Sequence, residues 1–478
     1  MDFLIQNFDV ILTLLKPVLI FALLFQVLPL LVLIERRGAA IIQDRPGPNR
    51  AAIPIPFSGG LKLRGFGMVF NLADAVKLLF KESFTAPFAH KWWYILAPAI
   101  PVVTAILTPA ALPWFAPIVH QPEGGPLQVI SGQVFDLNAG LLLTFAIGSL
   151  SVYGVVLGSW ASNSKFSLLG GLRASAMMIS YEVSMGLSVL GLILLVGDFS
   201  LTRIVEWQTT HAWGIIVQPV GFALFLVSMF AECNRTPFDV AEGDSELVAG
   251  FHTEFASSKF MMFMTAEYLH VLLASVLIST LYLGGYSLAP FPIPVPSFGA
   301  LDPAAATTGF HWVVLDTAWI KAHLGQVGGV FLFIGAAVFL LLSHLVSVHK
   351  KAYAALPVSD KAERVKEFSL FSGLFMFLAI LSVAGGALAF ALGSPTPLPG
   401  AVYEAKPIYP LWVSLVTAVI QLHIVLGKTL AVAWLFVWVR WTLPRFRYDQ
   451  IMALGWKVML NIALVNLLVT ALIAKLVK

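Results

Sequence analysis

The chain has 478 residues, of which 59% are hydrophobic and 11% are charged, and its mean hydropathy is +0.87. This composition excludes an ordinary soluble globular protein and indicates a polytopic membrane protein, in which the sequence pI of about 9.0 reflects basic loops rather than nucleic-acid binding. A single cysteine, Cys233, excludes a disulfide within the chain and an iron–sulfur cluster held by the chain, which needs several thiolates.

Apolar segments recur along the whole chain. A window of about 20 apolar residues, the length that crosses a bilayer, selects ten candidate transmembrane helices near residues 8–34, 92–112, 142–160, 177–197, 213–232, 266–285, 327–348, 368–392, 411–438 and 452–475. The first has no basic n-region and is too long for the core of a signal peptide, so we expect it to be retained. The sequence therefore predicts an all-α membrane protein with about ten spans.

The basic residues are distributed asymmetrically between alternate loops. With the N-terminus outside, 21 of the 29 Lys and Arg residues fall in the five inner loops, 35–91, 161–176, 233–265, 349–367 and 439–451. Because cytoplasmic loops carry the excess of Lys and Arg, we expect these loops to face the cytoplasm and both termini to lie outside.

The first inner loop contains a short amphipathic segment, residues 70–82. One helical face carries Leu72, Val76, Leu79 and Phe80, and the other side carries Asp74, Lys77 and Lys81. This pattern predicts a helix that lies at the membrane interface. Such a helix either anchors the chain to the surface or roofs a cavity that is entered from the lipid, and the pattern alone favours neither.

Three arginines accompany this segment. Arg36 and Arg37 follow the first span directly, where an isolated basic pair is more often an ordinary positive-inside anchor than a ligand site. Arg45 precedes a Pro-Gly-Pro turn, whose restricted backbone would present the guanidinium from a rigid element.

Two carboxylates lie just inside predicted spans. Glu182 follows the polar block 160–173 and falls about one turn inside the fourth span, with no Lys or Arg three or four residues away. Glu267 lies just inside the sixth span. A carboxyl buried without a basic partner is easily held in its neutral form, which suits a proton carrier. The alternative is a structural carboxyl that accepts hydrogen bonds from a neighbouring helix.

The densest charged block directly follows the apolar run 215–230. Its ionisable residues are Glu232, Arg235, Asp239, Glu242, Asp244 and Glu246. Ionisable side chains beside the hydrocarbon are costly, so this block indicates proton handling or a polar ligand cavity. The alternative is a solvated loop that happens to be acidic.

Several of these segments together resemble one known family. They are Glu35-Arg36-Arg37 with residues 43–49, Ser162-Asn163-Ser164-Lys165, Ser180-Tyr181-Glu182, residues 231–239, Leu247 to Phe251, and residues 444–450. In order and spacing they are similar to the H subunit of the bacterial proton-pumping NADH–quinone oxidoreductase, respiratory complex I, and to its equivalent, mitochondrial NADH dehydrogenase subunit 1.

The resemblance implies a membrane-arm subunit of a translocase in the cell inner membrane, which forms the quinone chamber and couples quinone reduction to proton translocation. Its implied partners are the other membrane-arm subunits, the hydrophilic quinone-site subunits, the quinone substrate and membrane lipid, with no nucleic acid. NADH, FMN and iron–sulfur clusters would bind partner subunits, and this chain would hold no cofactor, metal or catalytic residue of its own. The expected quinone-site residues are Arg36, Arg37, Arg45, Asp74, Leu79, Phe80 and Phe238. The expected proton relay consists of Glu182, Glu232, Arg235, Glu242, Asp244, Glu246 and Glu267.

The resemblance also divides the chain. Residues 1–286 correspond to the first six family helices and residues 425–478 to the last two, so residues 287–424 are predicted to insert two extra spans. We expect this inserted pair to be peripheral, with the basic loop 349–367 acting as an anchor at the anionic inner leaflet.

Other classes of membrane protein fit less well. A membrane cytochrome needs paired axial histidines, and no predicted span holds a pair at transmembrane spacing. A secondary transporter is expected to show related halves, and no internal repeat is visible. The closest alternative is a homologous heel subunit of a membrane-bound hydrogenase or of another dehydrogenase with a donor other than NADH.

Overall fold

The computed structural model describes residues 8–55, 62–121, 127–241, 243, 247–296, 310–355, 361–398, 402–403 and 406–477. Helices dominate this part of the chain, and its strands form four short antiparallel hairpins in the loops. The all-α polytopic fold class predicted from the sequence is therefore confirmed. Glu242, Asp244 and Glu246 of the predicted relay lie outside the described residues.

The α-helices, numbered in chain order, are α1 (Phe8–Ile42), α2 (Met68–Phe80), α3 (Lys91–Leu96), α4 (Ala99–Leu107), α5 (Gly140–Ser149), α6 (Ser151–Ala161), α7 (Lys165–Val196), α8 (Leu201–Thr210), α9 (Gly214–Val217), α10 (Pro219–Glu232), α11 (Ser257–Tyr282), α12 (Thr317–Ala322), α13 (Leu324–Ala355), α14 (Lys361–Leu392), α15 (Leu411–Thr442), α16 (Tyr448–Ala453) and α17 (Leu460–Val477). Turns of 3-10 helix cover Gly65–Gly67, Thr108–Ala111 and Gly250–His252, and a π-helical turn covers Leu454–Met459. The hairpins pair β1 (Ile53–Pro54) with β2 (Lys62–Leu63), β3 (Ile118–His120) with β4 (Gln128–Ile130), β5 (Ile293–Pro296) with β6 (Phe310–Val313), and β7 (Val402–Tyr403) with β8 (Lys406–Pro407).

Nine stretches within the described residues are long and apolar enough to cross a membrane, and they coincide with nine of the ten predicted spans. The remaining predicted span, 213–232, is broken at Gln218 between α9 and α10. Proline disfavours a helical conformation in the residue before it, and Pro219 accordingly leaves Gln218 at φ −131° and ψ 62°. With 14 residues, α10 is about 21 Å long. The Gln218 side chain compensates for the break by bonding Thr470 (2.7 Å) and Asn466 (3.1 Å).

The five predicted inner loops meet at one end of the bundle. The contacts that join them are His90 N to Ala161 O (2.9 Å), Ser257 Oγ to Leu78 O (3.1 Å), Arg64 N to Glu367 Oε1 (2.7 Å) and Arg445 Nη2 to Asp239 Oδ2 (2.7 Å). The charged blocks that are distant in sequence therefore form one surface. Its assignment to the cytoplasmic side stays a prediction from the distribution of basic residues.

The main core lies where α7, α10, α11 and α15 pack together around Leu192, Phe225, Ile278 and Phe436. Helix α7 begins at Lys165, twelve residues before the apolar segment that predicted it, because small residues there allow close packing. A Cβ added at Gly170 would lie 2.7 Å from the Cα of Gly250, so this contact requires glycine. Glu182 is consequently about 26 Å along α7, near the middle of the helix and deeper than predicted.

The two spans that are predicted to be inserted form a helical hairpin, α13 and α14, each several residues longer than its apolar segment. The two helices pack along each other, with the Phe390 ring against Gly329, and the Ser343 hydroxyl donates to Ser372 O at 3.0 Å. At the outer end, Leu324 of α13 joins a small apolar cluster with Val413 of α15. At the inner end, the hairpin reaches the first inner loop.

Candidate functional site

A buried arginine, Arg235, organises the charged block after α10. The chain turns sharply at the end of this helix, where the Arg235 N–H donates to Phe230 O at 3.3 Å and Asn234 takes a left-handed conformation with φ 48°. This turn directs the Arg235 side chain back into the bundle, where only 6% of it is exposed. A guanidinium at that depth requires anionic partners because desolvation of an unpaired charge is costly.

Two carboxylates from different helices supply that charge. Arg235 Nη1 lies 3.6 Å from Glu35 Oε1 of α1, and Arg235 Nη2 lies 3.7 Å from Glu267 Oε2 of α11. The Tyr268 ring lies 4.4 Å from the guanidinium carbon and adds a cation–π contact. We call Glu35, Arg235 and Glu267 the arginine bridge, since together they connect α1 with α11.

Further groups extend both ends of the arginine bridge. Arg440 of α15 bonds the Glu35 carboxylate directly, and His252 Nε2 lies 3.4 Å from Glu267 Oε1. The space left between Glu35, Arg235 and Arg440 is about 10 Å³, which is the room of a single water. The bridge is therefore a packed chain of charges and not a ligand pocket.

A separate small cavity lies deeper in the bundle. Glu182 of α7, Glu232 of α10 and His270 of α11 all line it, and its volume is about 30 Å³. Ser149 of α5 also lines it. At roughly 10–15 Å³ for each water, about two waters fit between these groups. We call this space the carboxylate cavity, and it brings together two predicted relay residues that are 50 positions apart.

The arginine bridge and the carboxylate cavity share α11. Glu267 and His270 are three residues apart on this helix, so they are neighbours on one face, and the two groups interact electrostatically. Charged or polar side chains thus follow one another from Glu35 through Arg235 and Glu267 to His270. Beyond His270, the carboxylate cavity continues the sequence to Glu232.

A second ion pair, between the buried Asp239 and the exposed Arg445, lies beside the bridge. Asp239 accepts a 2.7 Å hydrogen bond from Arg445, and Phe446 N donates to Pro237 O at 3.0 Å, so the segment after α10 is held by the loop before α16. Burial raises the pKa of the Asp239 carboxyl, and the Arg445 charge opposes that shift. The neighbouring Phe238 is buried, with its ring against Tyr181 and Phe446.

The predicted interfacial helix is α2, and its two faces differ as expected. On the polar side Arg36 forms an ion pair with Asp74 and stacks over the Phe70 ring at 4.9 Å. On the other side Leu79 and Phe80 are exposed, Phe80 to 86%. Arg36 is the next residue after Glu35 of the bridge, so its ion pair brings Asp74 of α2 close to the bridge.

The remaining predicted quinone-site arginines are placed differently. Arg37 Nε donates to Phe66 O at 2.9 Å, so it fastens the turn before α2. Arg45 is exposed and bonds the Gln43 side chain at 2.6 Å. The structure therefore gathers Arg36 and Asp74 near the bridge, but it leaves Arg45 at the surface and Phe238 in the core.

Comparison with known proteins identifies the family. The sequence model of the NADH dehydrogenase family matches residues 15–349 and 366–471. The chain belongs to the NADH dehydrogenase family. Among curated relatives, the NADH-quinone oxidoreductase H subunit numbered 1 in Cytophaga hutchinsonii is 34% identical over 91% of this chain and 89% of its own length. The protein of the same name from Geobacter metallireducens is 34% identical over 97% of this chain and 96% of its own length. The NADH-quinone oxidoreductase H subunit of Deinococcus radiodurans is 35% identical over 96% of this chain and 82% of its own length.

In this member of the NADH dehydrogenase family, sequence reasoning alone misses four groups of the site. The sequence presents Glu35 only as part of a motif and Arg440 only as a positive-inside residue, and it does not single out His252 and His270. Glu35, His270 and Arg440 share one signal, an ionisable side chain within an apolar helix, which is costly unless it has a partner. His252 lies in the 3-10 turn Gly250–His252 and has no such signal. Among the described residues, no cluster of three or more His, Cys, Asp or Glu side chains could hold a metal ion.

Proposed function

We propose that this chain is a membrane subunit of an NADH–quinone oxidoreductase, where it borders the quinone chamber and couples quinone reduction to proton translocation in the membrane arm. Three curated relatives that match most of the chain are named as the H subunit of that enzyme, which supports this assignment. NADH, FMN and the iron–sulfur clusters would belong to partner subunits. The localisation would be the cell inner membrane.

The observation that carries the coupling role is the arginine bridge. Buried carboxylates on α1 and α11 share one guanidinium at 3.6 and 3.7 Å. A change in charge on either carboxylate therefore alters the electrostatic energy of the other. Because close ionisable groups titrate as a set and not one by one, a proton gained or lost near Glu35 would redistribute protons toward Glu267.

The next step passes from the bridge to the carboxylate cavity. His270 faces Glu232 and Glu182 across a space that holds about two waters, and its Nε2 has no hydrogen-bond partner among the described residues. An imidazole with a free ring nitrogen can accept a proton from such a water and release one on the other side. The relay thus includes Glu35 and His270 in addition to the predicted Glu182, Glu232, Arg235 and Glu267, with Glu242, Asp244 and Glu246 as proposed members beyond the described residues.

The entrance for the quinone would lie at α2. An isoprenoid tail requires an approach from lipid, and α2 presents an exposed apolar face that ends in Leu79 and Phe80. The polar head would then meet Arg36 and Asp74, which adjoin Glu35. In this proposal, the chemistry of the head group takes place at the start of the relay.

The relay is tested with glutamine variants in the intact complex. We expect Glu232→Gln and Glu182→Gln to lower coupled quinone reduction and proton pumping at least about tenfold, while NADH–ferricyanide reduction and the amount of assembled complex are retained. Glu82→Gln removes an exposed carboxylate and serves as the matched control. Wild-type pumping in both relay variants would refute the relay. Co-purification with a nickel-hydrogenase large subunit, instead of flavin and NADH-binding subunits, would refute the oxidoreductase assignment.

A further inference from the structure

The inner end of the inserted hairpin is joined to the turn that leads into α2. Glu367, on the second turn of α14, accepts hydrogen bonds on Oε1 from the backbone N–H groups of Arg64 (2.7 Å) and Gly65 (3.0 Å). Its side chain is only 3% exposed. The expected anchoring of the basic loop 349–367 at the inner leaflet stays a prediction, whereas the acidic Glu367 binds protein atoms. A buried carboxylate with two backbone donors is a specific contact and not a chance surface encounter.

Charged side chains reinforce this contact from both partners. Arg64 Nη1 lies 3.6 Å from Glu367 Oε2, and Arg64 Nη2 lies 3.7 Å from Glu363 Oε2. Lys62 adds a 3.1 Å ion pair to Glu363. In the opposite direction, Arg364 of α14 donates to the carbonyl of Asn49 at 2.8 Å. The hairpin is therefore fastened to the first inner loop on both sides of the β1–β2 hairpin.

An aromatic contact continues the junction toward the membrane. The Phe66 ring lies 4.7 Å from the Phe371 ring and 6.3 Å from the Phe375 ring of α14. Phe66 itself has φ 55°, a left-handed conformation that is unfavourable for a bulky residue and must be held by its contacts. Its carbonyl also receives the hydrogen bond from Arg37. Two residues later, α2 begins at Met68, so these contacts set the position from which α2 starts.

We infer that the inserted hairpin is a structural part of the quinone entrance. In this inference Glu367 is a positioning residue that fixes the location of α2 at the entrance. This inference rests on the proposed function, since it assigns a role in the quinone entrance at α2. It replaces the expectation that the pair is peripheral. We call the residues of the junction the hairpin clamp, and they are Lys62, Arg64, Phe66, Glu363, Arg364, Glu367, Phe371 and Phe375.

Loss of the hairpin clamp has a distinctive kinetic consequence. If α2 is less well positioned, access of the quinone to the entrance is hindered, but the chemistry after entry is unchanged. For Glu367→Ala we therefore expect the KM for a long-tailed quinone in proteoliposomes to rise about fivefold or more, with kcat within about twofold of wild type. NADH–ferricyanide reduction per FMN stays unchanged. Glu367→Gln keeps an oxygen acceptor for the two backbone donors, so its KM is expected to lie between those of the alanine variant and the wild type.

A matched control and a second variant make the test decisive. Lys361→Gln changes an exposed charge on the same helix and is expected to leave the KM unchanged. If Glu367→Ala does not assemble, the double substitution of Phe371 and Phe375 by Ala removes the aromatic part of the clamp, and the same rise in KM is expected. Wild-type KM in an assembled clamp variant overturns the inference, and so does an equal fall of kcat and kcat/KM at unchanged KM.

The variant Phe80→Glu separates this inference from the proposed function. If Phe80→Glu impairs quinone reduction and the assembled clamp variants do not, the entrance at α2 stands and the role of the hairpin is refuted. If neither Phe80→Glu nor the clamp variants affect quinone reduction, the entrance itself is refuted. A rise in KM in both sets supports the entrance and the clamp together.

Discussion

Arg235 is the residue at which the structure makes its strongest energetic prediction. In Arg235→Met, Glu35 keeps Arg440 as a partner, whereas the Glu267 carboxylate keeps His252, a weaker and titratable partner. Removing one member of a buried ion pair typically costs about 3–5 kcal/mol, because the remaining charge stays desolvated. An energy of that size changes a folding equilibrium by about two to four orders of magnitude. We therefore expect the amount of assembled chain in membranes to fall severely.

The assay is the level of assembled subunit at fixed expression, since unfolded membrane protein is removed by proteases. Arg447→Met is the matched control, because this arginine pairs with Asp449 at 3.4 Å but is 71% exposed, and exposed pairs contribute little. The double variant Arg235→Met with Glu267→Gln also removes the carboxylate charge that the guanidinium balances, so it is expected to assemble better than Arg235→Met alone. The reasoning is refuted if Arg235→Met and Arg447→Met assemble in equal amounts. It is also refuted if the double variant assembles in smaller amounts than either single variant, because an unbalanced buried charge would then not be the cause of the loss.

Three further predictions follow from other contacts. Burial raises the pKa of the Asp239 carboxyl above its ordinary value, so the contribution of Asp239 to stability falls as the pH rises through the raised pKa. Arg445→Gln removes the charge that opposes this shift, so its thermal-inactivation midpoint should drop more at about pH 8 than at about pH 5. A drop that is independent of pH would contradict this. Phe80→Glu should leave assembly unchanged, because that ring is exposed in the chain, yet reduce quinone reduction and inhibitor binding relative to ferricyanide reduction; equal loss of both activities would indicate an assembly defect instead. Gln218→Leu removes the hydrogen bonds from the helix break to Thr470 and Asn466, and each lost bond should lower the stability by about 1 kcal/mol. The thermal-inactivation midpoint should therefore fall, and an unchanged midpoint would mean that water replaces the side chain.

Apolar length is sufficient to predict most of the membrane-spanning helices, because the cost of exposing backbone in lipid leaves few alternatives. It is a weaker guide where helix formation does not depend on apolarity. The first turns of α7, from Lys165, are polar and glycine-containing, and they are helical because Gly170 packs against Gly250. At Gln218 the opposite occurs, since an apolar run is interrupted by the following proline.

The site can be predicted only in part, for a similar reason. The charged blocks show which segments carry ionisable groups. Of the predicted relay residues, Glu182 and Glu232 line one cavity, and Arg235 and Glu267 form an ion pair. Which groups pair is a property of three-dimensional packing, and periodicity within one segment contains no information about it. Glu35 and Arg440 are 405 positions apart, and the acidic residues of α14 carry no signal that Arg64 is their partner.

The contact between Arg64 and Glu367 joins residues that are 303 positions apart, and this distance has a consequence during synthesis. At about 5–20 residues per second, translation needs roughly 15–60 s to progress from one to the other. Over that interval six further predicted spans, the second to the seventh, are synthesised, while Arg64 and the two backbone N–H groups lack the carboxylate that later binds them. The contacts that hold the turn before α2 therefore become complete only after Glu367 has been synthesised, and a chain that ends before Glu367 would lack them.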